Sequence, residues 1–199
     1  MDFTTLPELT GTRVTLEPLS ARHVDALKTA VAEGELWRAW YTGIPSPDGM
    51  PAEVDRRLAL FAAGDMLPWA IRDNARGVVV GMTTFMNIVP QHRHLEIGST
   101  WLAPSAQRSG INTEAKLLLL THAFEALDCI AVEFRTHWHN RQSRAAIGAL
   151  GAKQDGVLRN HQLGVDGTLR DTVAFSIIRD EWPTVRLGLT ERLARHTRP

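Results

Sequence analysis

The pattern of apolar and polar positions predicts a strand followed by two helices at the start of the chain. The segment RVTLEPL alternates apolar and polar residues, as a half-buried strand does. Ser20 then occupies the position of a helix N-cap, ahead of a periodic run that ends at Ala32. After a connection rich in tryptophan and proline, apolar residues recur at helical spacing from about Ala52 to Ala63.

Residues 67–102 have the pattern of β-structure. Three apolar stretches, PWAIRD, VVVGMTTFMNI and HLEIGSTWL, are separated by the polar segments NARG and QHR. β-Branched and aromatic residues are frequent in the stretches, and turn-forming residues separate them. This part of the chain is therefore predicted to form a three-stranded antiparallel meander.

The second half of the chain is predicted to alternate helices with strands. The stretch from about Ile111 to Leu127 is apolar on more than one face, which favours a helix buried against a sheet. The alternating strand from Ile130 to Trp138 follows directly. We expect it to lie parallel to the strand before the helix, because a β-helix-β crossover normally packs that way. A short helix over 143–150, two strands flanking the Asp166–Gly167 turn and a terminal helix from about Pro183 follow.

This order of elements describes an α/β protein with a mixed, mostly antiparallel sheet flanked by helices. The 199 residues contain no internal repeat or linker, and 44% of them are hydrophobic, enough for one ordinary core. We expect a single domain over residues 1–199. Its terminal helix packs either on that domain or on a second subunit in a homodimer.

Charge and cysteine content exclude several classes of protein. The 22 basic and 22 acidic side chains balance, so no overall field attracts nucleic acid or an anionic membrane. The single cysteine, Cys129, excludes an intramolecular disulfide and any CxxC metal or redox motif. The first residues lack a signal-peptide pattern, and no stretch is long and apolar enough to span a bilayer. A soluble, cytoplasmic protein without nucleic-acid or membrane partners is predicted.

The segment TWLAPSAQRSGINTEAKLLLL carries the clearest chemical signal. A strand ends, a short loop with one glycine follows, and a long helix begins. The unpaired N–H groups and the dipole of a helix N-terminus favour an anion, and Gly110 allows a phosphate to approach the backbone. An ordinary connection between a strand and a helix has the same pattern. The local chemistry therefore permits a phosphate site without establishing one.

The residues from Leu102 to Asn112 resemble the acyl-CoA-binding signature of the GNAT superfamily of N-acetyltransferases. Leu102, Pro104, Gln107 and Gly110 match its hydrophobic residue, its proline and its Q/R-x-x-G-x-G/A pattern in register, whereas Asn112 replaces the usual glycine or alanine. The string NTEA resembles the branch of the ribosomal-protein N-terminal (RimJ/RimL-type) acetyltransferases. The segments GTRVTLEPLS, EIGSTWL, NRQSRAAIGALGA and RDTVAFSIIRDEW also resemble that branch.

This resemblance implies an N-acyltransferase that moves an acetyl group from acetyl-CoA to a primary amine by direct attack in a ternary complex, without a metal. The acceptor would be a protein N-terminus or a small-molecule amine. Asn140 would bind the pantetheine amide. The other groups that the resemblance assigns to acetyl-CoA lie at the strand end and the helix start: Trp101, Leu102, Gln107, Arg108, Ser109, Gly110, Ile111, Asn112 and Thr113.

Glu96 and Ser143 are the candidate catalytic residues. An amine acceptor is largely protonated at neutral pH, so a carboxylate is the natural base. Glu96 lies in the strand before the loop, where the branch has a glutamate, and it points away from the face of Leu95 and Ile97. The tyrosine that many superfamily members use as the general acid is absent, because Ile147 occupies its position. In the branch a serine three residues after the asparagine replaces it, and here that serine is Ser143.

Each of these residues also has an ordinary structural interpretation. Glu96 would then face solvent or pair with Arg93 or Arg135. Asn140 and Ser143 would cap a helix, as such residues near a helix start often do.

Three aromatic residues, Trp37, Trp40 and Tyr41, lie between the first two helices, where the superfamily places the border of the acceptor site. We expect them to form a partly exposed wall that contacts the acceptor, with core packing as the alternative.

Two histidine pairs, His92 with His94 and His137 with His139, are each spaced to lie on one face of a strand. No third potential ligand lies at a spacing typical of a metal site, so we expect no metal there. One of these histidines is nevertheless suited to assist proton transfer.

Two other functions fit the sequence. The missing tyrosine and the departure at Asn112 suit a non-catalytic domain that binds or senses acyl-CoA. The histidine pairs suit a metal-binding or structural protein. Within the enzyme interpretation, a donor such as succinyl-CoA is an alternative to acetyl-CoA.

Overall fold

Eight strands form one mixed sheet in the computed structural model, which describes residues 2–164 and 166–195, and their order in the sheet is β1-β2-β3-β4-β5-β6-β8-β7. The strands are β1 Leu9–Thr10, β2 Val14–Pro18, β3 Met66–Asp73, β4 Val78–Val89, β5 His94–Leu102, β6 Ala131–His137, β7 Lys153–Leu163 and β8 Leu169–Ile178. The α-helices in the same residues are α1 Val24–Ala32, α2 Met50–Ala62, α3 Ile111–Thr121, α4 Arg141–Gly148 and α5 Trp182–Arg195. A π-helical turn, His122–Ala126, extends α3. None of these helices is long and apolar enough to cross a membrane.

The predicted order of elements is confirmed, with one addition. Strands β3, β4 and β5 form an antiparallel meander, and β6 lies parallel to β5. The added strand, β1, is too short for an alternating pattern to reveal it. The end of the predicted terminal helix, residues 196–199, lies outside the described residues.

The strand predicted from Ile130 to Trp138 is shorter by one residue at each end. The strand ends at His137, and Trp138 is 39% exposed. The guanidinium of Arg144 lies 4.1 Å from the centre of the Trp138 ring, and such a cation over an aromatic face stabilises the exposed side chain. Alternation holds only while a strand continues, so it gives no information beyond the strand's end.

Two apolar clusters cover the two faces of the sheet. The first cluster packs α3 and α5 against one face and includes Leu95, Leu119 and Val132. The second cluster packs α1 and α2 against the other face and includes Val54 and Met82. The second cluster contains no buried residue of β6, β7 or β8. That face of these strands therefore keeps polar side chains.

A carboxylate on α3 ties the amino-terminal segment to the first cluster. The buried Glu114 side chain accepts hydrogen bonds from the backbone N–H groups of Thr12, Arg13 and Val14 at 3.1, 2.6 and 2.8 Å. Gly11 passes so close that a Cβ there would lie 2.7 Å from the carboxylate oxygen. One side chain thus satisfies three backbone donors in the turn between β1 and β2.

We expect Glu114→Gln to lower the free energy of unfolding by about 2–3 kcal/mol, because the charged acceptor is lost and the new amide NH₂ faces backbone donors. Urea denaturation followed by circular dichroism measures the change. Glu191→Gln on the exposed face of α5 is the matched control and should stay within about 0.5 kcal/mol of the wild type. An equally small loss for Glu114→Gln would show that the carboxylate is not required.

Candidate functional site

Strands β5 and β6 separate near the middle of the sheet. Their parallel pairing ends at Glu96 and Glu133, and no further pair forms between them in the described part of the chain. Beyond this point β5 stays paired with β4, and β6 stays paired with β8. The two facing edges therefore carry unpaired backbone groups, which bind an extended ligand as a strand binds its neighbour.

A β-bulge lies in the part of β5 that faces this gap. Two residues, Ser99 and Thr100, stand opposite the single residue Thr83 of β4, and Ser99 has a φ of +47°. A bulge of this kind turns the backbone and shifts the alternation of side chains. Accordingly, Ile97 before the bulge and Leu102 after it both belong to the cluster under α3.

The loop after β5 and the first turn of α3 present free backbone donors. Gly110 is the N-cap of α3, with a φ of +88°, and the exposed Arg108 also has a positive φ of +60°. Within residues 2–164 and 166–195, no acceptor contacts the backbone N–H groups of Arg108, Ser109, Gly110, Asn112 and Thr113. Unpaired donors at the positive end of a helix dipole attract an anion, so these N–H groups are a candidate anion site.

Two side chains of the predicted cofactor set brace this loop. Gln107 Nε2 donates to the carbonyl of Leu102 at 3.1 Å, and Gln107 Oε1 accepts from Gln142 Nε2 of α4 at 3.1 Å. Ser109 Oγ donates to a backbone carbonyl of the loop and accepts from the N–H of Ile111 at 3.4 Å. These bonds fix the loop between the end of β5 and the start of α4.

Glu96 lies at the point where β5 and β6 begin to separate, and it is only 5% exposed. Its Oε2 accepts a hydrogen bond from Asn87 Nδ2 at 2.8 Å and lies 3.7 Å from Arg135 Nε. Its Oε1 has no hydrogen-bond partner among the described residues. That oxygen lies over Gly98, where a Cβ would come within 3.0 Å of it. The side chain points away from the α3 face as expected, and it does not face bulk solvent. Of the two arginines named as alternative partners, Arg135 lies within ion-pair distance, whereas Arg93 binds Asp128, with 2.6 Å between Nη1 and Oδ2.

Burial raises the pKa of Glu96 above the ordinary value of a carboxyl group. The Asn87 hydrogen bond and the positive charges of Arg135 and Arg170 lower that pKa, whereas the charge of Glu133 adds to the rise. Desolvation is the largest of these effects. The carboxylate therefore accepts a proton more readily than an exposed glutamate, as a general base should.

Asn140 and Ser143 lie together at the start of α4. Asn140 is the N-cap, and its Oδ1 accepts the backbone N–H of Ser143 at 2.9 Å, so the capping interpretation of Asn140 is confirmed. Within the described residues, Asn140 Nδ2 has no acceptor and the half-buried Ser143 hydroxyl has no hydrogen-bond partner. The cap uses Asn140 Oδ1 and the backbone N–H of Ser143. It leaves Asn140 Nδ2 and the Ser143 hydroxyl free.

The predicted aromatic wall divides into two parts. Trp40, which is 63% exposed, has its ring centre 5.2 Å from His137, 5.5 Å from His139 and 5.6 Å from Tyr41. Trp37 instead packs against the cluster under α1 and α2. Trp40 and Tyr41 therefore form a wall with the histidines at the end of β6, and Trp37 does not join it.

No group of three or more histidine, cysteine, aspartate or glutamate side chains suited to a metal occurs within the residues that the structure describes. His94 contacts Glu133, with 3.1 Å between Nε2 and Oε1, and so has a partner other than a metal. Cys129 is buried, and burial raises the pKa of its thiol to about 12, so it is not a reactive thiolate.

Sequence reasoning missed two buried cations beside the bulge. Lys116 Nζ donates to Thr83 Oγ1 at 3.2 Å and to Thr100 Oγ1 at 2.7 Å. Arg57 Nη2 donates to the carbonyl oxygen of Ser99 at 3.2 Å. The only signal for Lys116 was a lysine among the leucines of α3, and Arg57 gave none, because it belongs to an otherwise ordinary charged stretch of α2.

The anion site and the carboxylate lie at the two ends of one strand edge. The edge runs from Ile97 to Leu102, six residues that span roughly 20 Å. An elongated ligand with phosphates at one end and a reactive group at the other fits this arrangement. The free N–H groups at the helix start suit the phosphates of an acyl-CoA, and the strand edge along the gap suits its amide-containing arm.

About half of the chain is similar to a known protein. The chain is 34% identical over 106 residues to a Bacillus subtilis protein named "Putative ribosomal N-acetyltransferase YdaF"; the match covers 53% of this chain. The chain spans little more than half of that relative, 57% of its length.

Solved structures share the whole fold. A GCN5-related N-acetyltransferase from Brucella melitensis superposes with a TM-score of 0.85 at 30% identity, covering 95% of this chain and 86% of that one. Mycobacterium smegmatis RimJ, solved in complex with CoA-disulfide, superposes with a TM-score of 0.80 at 25% identity, covering 95% and 96%. The family model described as "Acetyltransferase (GNAT) domain" matches residues 13–153. The chain belongs to the GNAT acetyltransferase family.

Proposed function

We propose that this protein transfers the acetyl group of acetyl-CoA to a primary amine, by direct attack in a ternary complex in the cytoplasm. The observation that carries the proposal is the free Oε1 of the buried Glu96 where β5 and β6 separate. The free N–H groups of α3 lie at the other end of the same strand edge. The family match supports an acetyltransferase, and the CoA-containing RimJ structure supports the donor.

Acetyl-CoA supplies the activated thioester in this reaction, and residues of β5, of the start of α3 and of the start of α4 hold it. The N–H groups from Arg108 to Thr113 bind the pyrophosphate, and the exposed side chain of Arg108 adds positive charge. The backbone at Trp101 and Leu102 pairs with the pantetheine arm and stabilises charge on the acyl oxygen. Asn140 Nδ2 donates to a pantetheine carbonyl.

Glu96 and Ser143 move the protons. Glu96 Oε1 takes a proton from the acceptor amine, directly or through one water, so that the nitrogen lone pair attacks the acyl carbon. The C–S bond then breaks, and the amide nitrogen loses its second proton to solvent. The Ser143 hydroxyl donates a proton to the leaving thiolate and recovers one from solvent. Each side chain has a free atom for its task in the structure.

The acceptor lies on the polar face of β6 and β8, the same face as Glu96. Arg170 of β8 is partly buried there, and its Nε donates to Thr172 Oγ1 at 3.1 Å. Glu96 interacts electrostatically with Arg170, but no carboxylate lies within ion-pair distance of that guanidinium in the described part of the chain. A carbonyl or carboxylate of the acceptor is a suitable partner for this guanidinium. Trp40 and His137 border the far side of this acceptor space. The name of the Bacillus subtilis relative favours a protein amino terminus as the acceptor.

One observation favours a second candidate, a domain that binds acyl-CoA without turnover. Ile147 occupies the position of the usual tyrosine and is buried in the cluster under α3, so no other acid replaces it there. Release of free thiol from acetyl-CoA, measured with a panel of primary amines and amino-terminal peptides, distinguishes the candidates. Amine-dependent thiol release supports the enzyme, and binding without release supports the sensor.

We expect Glu96→Gln to lower kcat/KM for the amine about 100-fold or more, because the amide accepts no proton. The Kd for CoA should stay the same, since the side chain does not contact the anion site. Stopped-flow or steady-state thiol release measures the first quantity, and calorimetry measures the second. A decrease in kcat/KM smaller than about threefold would remove Glu96 from the role of base.

The pH profile tests the same assignment. The rate requires the carboxylate form of Glu96, so it falls as pH decreases through the raised pKa of this group. Asn87→Gly removes the hydrogen bond that lowers this pKa, and glycine accepts the positive φ of 49° at that position. The acidic limb of the pH–rate profile should move to higher pH in Asn87→Gly. In Glu96→Gln, the part of that limb that reflects ionisation of Glu96 should be absent. Ionisation of the acceptor is the same in every variant.

We expect Ser143→Ala to lower kcat about tenfold or more while the Kd for CoA is retained, because only the proton donor to the thiolate is removed. The backbone N–H that Asn140 caps remains, so the thermal midpoint should not change. An unchanged kcat would show that solvent protonates the thiolate.

Asn140→Asp separates capping from ligand binding. Aspartate caps a helix as well as asparagine does but has no amide donor. The variant should keep its stability and raise the KM for acetyl-CoA several-fold, whereas Asn140→Ala should lose about 1 kcal/mol of stability as well. Equal KM values for the wild type and Asn140→Asp would leave Asn140 with the cap alone.

A further inference from the structure

The β-bulge in β5 lies between two buried cations that approach it from opposite faces of the sheet. Arg57 of α2 is 3% exposed and reaches Ser99 from the face covered by the helices α1 and α2. Lys116 of α3 is 5% exposed and reaches Thr100 from the face covered by α3 and α5. We call these two side chains the bulge clamp.

Lys116 holds the bulge through a chain of hydroxyl groups. Its Nζ contacts Thr83 Oγ1 at 3.2 Å and Thr100 Oγ1 at 2.7 Å, and the two hydroxyl oxygens are 2.8 Å apart. Thr100 Oγ1 also donates to the carbonyl of Gly98 at 3.3 Å. No carboxylate contacts the amine among the described residues. Lys116 is therefore a buried amine whose partners are neutral hydroxyls.

Arg57 holds the other side of the bulge through its backbone. Nε donates to Glu53 Oε1 at 2.7 Å, and Nη2 donates to the Ser99 carbonyl at 3.2 Å. Nη1 is buried without a partner in the described part of the chain. The neighbouring Arg56 binds the same Glu53 but its side chain is 52% exposed and does not reach β5. Arg57 and Arg56 therefore differ in their contact with the bulge.

A buried amine without a counter-ion does not stabilise a fold. Burial lowers the pKa of Lys116 from 10.5 to about 7. Because the folded protein holds the proton less tightly than the unfolded chain, Lys116 opposes folding increasingly as pH falls from 10.5 towards 7. An apolar side chain of similar length would remove that cost. Stability alone therefore does not account for a lysine at this position, which argues for a role in the site.

We propose that Arg57 and Lys116 are positioning residues that hold the β5 bulge so that the backbone of Trp101 and Leu102 faces the pantetheine arm of an acyl-CoA. Neither side chain touches the ligand. Lys116 acts on Thr100, which directly precedes Trp101, and Arg57 acts on Ser99, one residue earlier. The inference rests on the proposed function, because it assumes that acyl-CoA binds along β5.

The experiment measures CoA affinity and thermal stability separately, on the full-length chain. Isothermal titration with CoA gives the Kd, and a thermal melt without ligand near neutral pH gives the midpoint. The variants are Lys116→Met, Arg57→Met and the pair Thr100→Val and Thr100→Ser, of which only the serine keeps the hydroxyl. Arg56→Met is the matched control for Arg57.

We expect Lys116→Met, Arg57→Met and Thr100→Val each to weaken CoA binding about tenfold. The reason is that a displaced strand edge loses one or two hydrogen bonds to the ligand. Thr100→Ser and Arg56→Met should stay within about twofold. Lys116→Met should also keep or raise the melting midpoint, so that stability and affinity change in opposite directions. In steady-state assays the KM for acetyl-CoA should rise more than kcat falls.

Two results would overturn the inference. One is a Lys116→Met protein with wild-type CoA affinity; the other is a loss of stability in all clamp variants with unchanged affinity, which is the signature of a purely structural role. If Lys116→Met does not fold, the comparison of Thr100→Val with Thr100→Ser decides the question alone. A wild-type protein that does not bind CoA would overturn the proposed function as well, so the two failures are distinguishable.

Discussion

The end of pairing between β5 and β6 after Glu96 and Glu133 is the constraint on which the rest of the site depends. Each strand keeps its other neighbour, so the sheet stays intact while a row of backbone groups loses its partners. The carbonyls of Ser99 and Leu102 have side-chain partners, and an extended ligand is suited to pair with the backbone groups that remain. Because α3 begins directly after β5, its free N–H groups lie at one end of that edge, and the buried carboxylate of Glu96 lies at the other.

Burial is the common cause of the unusual titration behaviour around this edge. It raises the pKa of Glu96 and lowers the pKa of Lys116, so both groups are displaced towards their neutral forms. In Glu96 the result is a more basic carboxylate. In Lys116 it is a folding cost that the apolar clusters on both faces must offset. The stability of the domain therefore comes from those clusters and from contacts such as the Glu114 carboxylate, away from the gap.

The two faces of the sheet contribute different parts of the site. The face under α3 and α5 supplies Lys116, and the face under α1 and α2 supplies Arg57. Where α1 and α2 no longer cover the sheet, Glu96, Arg170 and the Trp40–His137 contact face the space proposed for the acceptor. A bulge suits this arrangement, because its two residues are reached from opposite faces, Ser99 by Arg57 and Thr100 by Lys116, and because it redirects the backbone between the faces.

The amino-acid sequence by itself determined the order of the elements, the antiparallel meander, the parallel β5–β6 pair and the loop that begins α3. These follow from side-chain periodicity, turn residues and the handedness of crossovers, which are local or topological properties. It also marked Glu96, Asn140 and Ser143 as residues to consider. Only the tertiary structure decided that Trp37 packs apart from Trp40. The tertiary structure also decided which Glu96 oxygen is free. It alone brought Arg57 and Lys116 to one bulge from opposite faces. Periodicity reports which face of an element is buried, but the partner that a buried polar atom meets depends on residues distant in the chain.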